Sequence, residues 1–342
     1  MDVSLDDDQQ LLVATATGMA ADIGCLPPHE LPSTDDDAAG WELLADAGLL
    51  GLHVPVEAGG SGAHAADVAL VVEQLAAPCC RVPFVGQGVL APELLALAGA
   101  SDELLTGVAA GSRRITVALT DDLGALGRLG APAVAWDALG ATHAVLLDGT
   151  GAPHLVELGG PAMEQVDLSR TLVALPGDLP AEAVGSPIAP RALARYQALA
   201  LAVLSADLLG VMGAALDAAV EHVAVRTQFG VPVGTFQAVQ HMAADAKVAL
   251  EATRSAVWAA AWGADELEPT EALLGAHQAK AFASRAGLEV VEIQTQMLGG
   301  IAITWEEQAH VRLRRALLDR LTLGDESAHE DALATLLLGT PG

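Results

Sequence analysis

Along the chain, apolar positions recur first at helical spacing, then at strand spacing, then at helical spacing again. Residues 1–112 read as helices broken by turns. Asp6-Asp7-Asp8 opens the first helix, with acids where the helix dipole favours them. After Pro27-Pro28, Thr34 and the acids that follow cap a helix predicted through Trp41 to Ala47 and closed by Gly48. The segment 56–63, with Gly59, Gly60 and Gly62, reads as a turn, because a phosphate cradle would need a strand before it and a Lys or Ser/Thr partner after it. Helices are predicted at 65–77 and 87–110. From Arg113 the period shortens. Runs beginning at Ile115, Ala133, Ala144, His154 and Thr171 are β-type and separated by Gly, Pro and Asp turns, ending near Gly185. Four long helical runs follow, at about 190–224, 236–263, 269–297 and 305–338, and short joins between them argue for an antiparallel bundle. The prediction is a mainly α chain with a small central β domain, organised as 1–112 helical, 113–185 β and 186–342 helical bundle.

The stretch from Arg226 to Gln240 interrupts this bundle informatively. An arginine, Phe229-Gly230, a Val-Pro-Val-Gly turn and Phe236-Gln237 lie between two helical runs, which makes an αα-hairpin with a cation and amides at its bend. The planar guanidinium fork suits a diphosphate, and the amides of a helix start add to it.

Composition changes the picture in three ways. The chain is 52% hydrophobic but only 3% aromatic, so its core must be built from alanine, leucine and valine, which favours closely packed helices. No run of eighteen apolar residues is free of charge, so no membrane span is expected, and the apolar excess is expected to be buried between subunits. The formal net charge of −28 argues against nucleic acid and anionic membranes as partners, and any anionic ligand must be met by local basic residues. Cys25, Cys79 and Cys80 give neither metal spacing nor a disulfide framework. The opening MDVSLDDDQQLL lacks the basic and apolar regions of a signal peptide, so a cytoplasmic location is expected.

Arg226-Thr227-Gln228-Phe229-Gly230 followed by Phe236-Gln237, with Gln296-Met297-Leu298-Gly299-Gly300 further on, resembles the C-terminal domain of the acyl-CoA dehydrogenase family. The stretch Trp41–Pro55 and the segment Glu57-Ala-Gly59-Gly60-Ser-Gly62 fit its N-terminal third, so the resemblance covers most of the chain in the family's order. It implies FAD, an acyl-CoA substrate and an electron-transfer acceptor. It further implies that Arg226, Thr227, Gln228, Phe229, Phe236 and Gln237 serve the FAD diphosphate across a subunit boundary. Gln296, Met297, Leu298, Gly299 and Gly300 would then lie on the adenine side.

Other parts of the family's pattern are missing. The flavin-ring segment is reduced to Thr120 followed by Asp121 and Asp122, and Trp136 is the candidate for the tryptophan at the flavin edge. The family removes an α proton with a glutamate, which needs a carboxylate beside the substrate. Counting from Arg314-Arg315-Ala316 that seat falls on Leu323, and the alternative seat in the first long C-terminal helix falls near Ala200. Asp325 and Glu326 are substitutes by a short slip, or else they cap the last helix. Asp207 reads as a polar residue at a subunit contact. Arg312, Arg314, Arg315 and Arg320 are expected to pair with acids between helices, Glu306 is structural, and His241, His310 and His329 are expected at the surface or an interface. No metal-ligand spacing occurs. The resulting expectation is the base-less partner subunit of a heterotetrameric dehydrogenase, of the type that degrades steroid side chains and bulky thioesters. Two alternatives stand beside it: a homo-oligomeric enzyme with a displaced carboxylate, and a scaffold that lost its flavin.

Overall fold

The computed structural model describes residues 4–25, 38–164 and 166–339. The predicted cap at Thr34 and the break at Pro27-Pro28 lie outside the described residues. The N-terminal part comprises α1 (Asp7–Ile23), α2 (Ala38–Asp46), α3 (Ala65–Ala76), α4 (Ala91–Leu97) and α5 (Asp102–Ala109). Asp6 caps α1 by accepting from the Gln9 amide at 2.8 Å, as the acidic opening predicts. The helix expected over 87–110 is broken. A π-helical turn at Phe84–Leu90 precedes α4, and positive φ at Gly99 separates α4 from α5.

The sheet contains β1 (Ile115–Thr120), β2 (Ala133–Trp136), β3 (His143–Leu147), β4 (Pro153–Glu157), β5 (Val173–Leu175) and β6 (Ala181–Ala183), in the order β5-β2-β1-β3-β4-β6. Within it, β1 and β3 run parallel and the other neighbours run antiparallel. Strand alternation divides its side chains between two cores. Val117, Leu119, Val134, Trp136, Val145, Leu147 and Leu155 join the main helical core, whereas Ala118, Ala133, Ala135, Ala144, Leu146 and Val156 form a second, smaller one.

The bundle consists of α6 (Pro190–Val225), α7 (Gln237–Glu266), α8 (Pro269–Leu298), α9 (Ala309–Leu321) and α10 (Glu326–Leu338). The last predicted run is thus two helices, because Leu323 and Gly324 adopt φ of 58° and 107° and end α9. α6 is long and apolar enough to cross a membrane, but 89% of its most apolar window is buried inside this chain. Its apolar surface is therefore covered largely within the protomer rather than between subunits. Gly210 makes this possible on one side, since a Cβ there would lie 2.2 Å from the Glu73 carbonyl of α3.

Candidate functional site

The hairpin bend is built by a short change of backbone state. α6 ends at Val225 and Arg226 turns extended, after which strands β7 (Thr227–Gln228) and β8 (Val231–Pro232) pair antiparallel. Phe229 and Gly230 form the two-residue loop with φ of 53° and 81°, the left-handed pair that matches hairpin twist. This leaves the Phe229 ring 95% exposed, in edge contact with Phe236 at 6.3 Å. A 3-10 turn at Val233–Thr235 then leads into α7, whose first amides have no intrahelical acceptor.

Met297 ties this bend to the end of α8. It packs with Ala219, Val223, Val233, Val239 and Met242, which brings Gln296, Gly299 and Gly300 to the same side of the bundle as the hairpin. Arg226, Thr227, Gln228, Gln237, Gln296, Gly299 and Gly300 are all exposed, while Met297 and Leu298 are buried. Arg226 has no ion pair or hydrogen bond from its side chain among the described residues. A Cβ added at Gly299 or Gly300 would meet nothing within 4 Å. A free guanidinium, a helix start and an open glycine edge fit an anionic diphosphate laid against the surface.

The seat of the expected base is closed by the chain itself. The amide of Leu323 donates to the Leu123 carbonyl at 2.8 Å, joining the α9–α10 loop to the turn after β1. Lys280, buried on α8, donates to Ser284 Oγ at 3.0 Å and to the carbonyls of Arg320 and Gly324 at 3.0 and 2.9 Å. Burial pushes its ammonium down to about 7, but all three of its protons have acceptors. Asp325 accepts from the Ala328 amide at 3.0 Å and so caps α10. Glu326 is held by Arg320 in a two-pronged pair of 2.7 and 2.5 Å. Ala200 is fully buried in α6. Leu323 forms part of the wall of a cavity of about 290 Å³ between α6, α8 and the turn after β1, and none of the residues around that cavity is a carboxylate. His277 and His329 are in this wall. His329 is buried, contrary to the surface position expected for it.

The flavin-ring side is similarly self-occupied. Thr120 donates its hydroxyl to Asp122 at 2.6 Å, and Asp122 also accepts from the Gly124 amide, forming a closed turn. Trp136 is fully buried beneath the Arg170 guanidinium at 4.4 Å, so it cannot border a ligand at the sheet surface. A larger cleft of about 770 Å³ lies on the sheet beside His143, Glu157 and Glu182 and contains none of the motif residues.

Asp207 is likewise not a contact to another subunit. It sits in a buried charge cluster, accepting from Arg315 at 2.8 and 2.7 Å and from Arg170 at 2.7 Å. Burial opposes its ionisation, but Arg315 and then Arg170 hold its carboxyl well below the usual carboxylate range. Asp319, 3.3 Å from Arg170, has its carboxyl pushed well up by burial and then by Asp207, with Arg170 and Arg315 opposing. The basic cluster therefore divides. Arg315 and Arg320 pair with acids, as expected, while Arg314 donates to the Val166 carbonyl at 3.0 Å and lies over Trp305. A second tie joins the two helical parts: His53 is held between Glu93 at 3.0 Å and Asp265 at 3.1 Å. Burial disfavours its charge, yet the hydrogen bonds to Asp265 and Glu93 raise it to about 10. No group of three or more metal-ligating side chains occurs among the described residues. Sequence reasoning missed Lys280 and His277. The one available signal was a lysine on an otherwise alanine-rich stretch of α8.

Residues 6–111 match the model of the acyl-CoA dehydrogenase N-terminal domain and residues 199–338 that of the C-terminal domain. Acyl-CoA dehydrogenase IpdE2 of Mycobacterium tuberculosis is 31% identical over 282 residues, covering 82% of this chain and 80% of that protein. Among solved structures, a variant of the Tcur3481-Tcur3483 steroid ACAD superposes with a TM-score of 0.85 at 29% identity, over 97% of this chain and 98% of the other. The ChsE4-ChsE5 complex from Mycobacterium tuberculosis gives 0.84 at 24% identity over the whole of both chains, a likeness of fold.

Proposed function

The chain belongs to the acyl-CoA dehydrogenase family, whose members are FAD-dependent oxidoreductases, and from that premise we propose that it is the base-less subunit of a hetero-oligomeric acyl-CoA dehydrogenase. Its role in this reading is to supply the diphosphate and adenine side of an FAD whose ring lies on a second, unlike chain. FAD, when bound, accepts the hydride removed from the acyl thioester. Arg226 would neutralise the diphosphate, the start of α7 would add backbone donors, and Gly299 and Gly300 would let the adenine end approach the backbone. Phe229 and Phe236 would be covered by the partner, removing apolar surface from water. The second subunit would carry the carboxylate.

The observation that carries this reading is the asymmetry between the two halves of the site. The hairpin and the α8 end are intact and exposed, while the base seat holds Leu323 under the hydrogen bonds of Lys280 and Leu123. The two-chain names of the Tcur3481-Tcur3483 and ChsE4-ChsE5 structures support a partner of the same family, and the first of these acts on steroids by its description. By that analogy the substrate is a bulky acyl-CoA thioester. The test is an absorbance spectrum of the chain purified alone and after co-expression with a candidate partner dehydrogenase. A colourless chain that becomes yellow and active only as the pair supports the reading. Yellow and active alone would overturn it. In the pair, Arg226→Ala is expected to lower flavin content at unchanged subunit stoichiometry; full flavin occupancy in that variant would remove Arg226 from the site.

A further inference from the structure

The cavity of about 290 Å³ beside Leu323 contains polar groups that the proposed function leaves unused. His277 and His329 approach through their Nδ1 atoms at 2.8 Å, and His329 Nε2 lies 3.1 Å from the Gly324 carbonyl. A carbonyl can only accept, so the His329 proton is on Nε2 and its Nδ1 holds a lone pair. Two ring nitrogens at this distance need one proton between them, so His277 donates from Nδ1. Burial depresses both rings, and Lys280 adds to it at His329, which is held at about 3. Each ring therefore carries a single proton at neutral pH. By elimination, His277 Nε2 is an unprotonated acceptor, and it has no hydrogen-bond partner among the described residues.

The rest of the wall suits an apolar body. Leu126, Leu201, Leu273 and Leu323 supply its apolar surface, and Gly124, Ala125 and Gln197 are its exposed members and give access. Tyr196 belongs to the same wall, is 1% exposed, and its hydroxyl has no hydrogen-bond partner among the described residues. The volume is at the small end for ligand sites.

We infer that this cavity binds a small, uncharged, mainly apolar alcohol, whose hydroxyl donates to His277 Nε2 and whose hydrocarbon part packs on the four leucines. A carboxylate cannot serve, because it has no proton to donate and would face the histidine lone pair. A cation would lose its hydration in an apolar chamber without a counter-charge. The inference goes beyond the subunit reading: the cavity is formed within one chain, it includes Leu323 at the vacated base seat, and its wall contains none of the hairpin residues.

The test uses the full chain with ¹⁵N-labelled histidine, cyclohexanol as the probe and methylcyclohexane as the same-sized probe without a hydroxyl. Long-range proton–nitrogen correlation reads the His277 nitrogens, assigned by comparison with His277→Gln. The expected result is a protonated Nδ1 and unprotonated Nε2 in the free protein, with a saturable shift of Nε2 on adding cyclohexanol. Methylcyclohexane should bind about tenfold more weakly or worse, since it leaves the imidazole acceptor unpaired. Leu273→Trp should abolish the shift by filling the cavity, with Leu126→Trp as the second blocking variant if circular dichroism shows the first to be unfolded. The opposite tautomer, no saturable shift, equal affinity for the two probes, or undiminished binding in a folded blocking variant would each overturn the inference.

Discussion

At the scale of single residues, burial decides what an ion pair is worth. Arg191 and Glu268 meet on the surface, both side chains mostly exposed. Arg191→Ala is therefore expected to change stability by less than about 0.5 kcal/mol in urea unfolding, as exposed pairs do. Asp207 is the opposite case, buried between Arg315 and Arg170. Asp207→Ala removes the carboxylate that the two buried guanidiniums share, and is expected to cost about 3–5 kcal/mol. A loss under about 1 kcal/mol in the same urea titration would mean that the cluster is wetter than its burial implies. Phe229 shows a third behaviour. Its left-handed φ is set by the hairpin loop, but its ring is left 95% exposed, with only an edge contact to Phe236 inside this protomer. That exposure is accounted for if a partner covers the ring.

At the scale of elements, the α9–α10 loop couples the closed base seat to pH. His329 is neutral in the folded chain, held at about 3 by burial, then by Lys280 and His277, with the hydrogen bond to the Gly324 carbonyl and then Asp325 opposing. Unfolded, it returns to about 6.5. Between these values the unfolded chain binds a proton that the folded chain does not, so this residue's contribution is fully present above about pH 6.5 and is lost as pH falls towards 3. His329→Gln is expected to flatten the dependence of the urea midpoint on pH between about 6.5 and 5 relative to wild type. Parallel curves would show that His329 titrates normally.

Much of the structure at this scale was legible in the sequence. The strand runs beginning at Ile115 and Ala133 are β1 and β2, and the helical run expected over 269–297 is α8, which ends at Leu298 where Gly299 takes over with φ of 68°. The two segments that carry the family motifs meet in the fold, because Met297 packs both against one cluster. The break at Leu323 was not legible, since a non-glycine residue with positive φ has no periodicity signature. Nor were the Lys280 hydrogen bonds and the His277–His329 pair, whose members are 52 residues apart and meet only through packing of α8 on α10.

At the scale of the whole molecule, the net charge of −28 is the dominant long-range term. Self-repulsion destabilises the compact chain, and salt screens it, with a Debye length of about 10 Å at 0.1 M. The thermal midpoint of the isolated chain is expected to rise between low and physiological sodium chloride, and a midpoint that falls would show that local ion pairs outweigh the global field. The charge cluster around Arg170 has a different consequence, one of timing. Asp137 and Arg170 come from the sheet side and Asp207 from α6, but Arg315 follows Asp207 by 108 residues. A ribosome therefore releases the sheet and the first bundle helix well before it makes the arginine that pairs with Asp207 most extensively. Until α9 emerges, Asp207 and Arg170 lack that second guanidinium and the Asp319 carboxyl beside it. The sheet is thus expected to dock late in synthesis, and ribosome-arrested chains ending before α9 should be cut by protease within 113–185 while chains that include α9 resist.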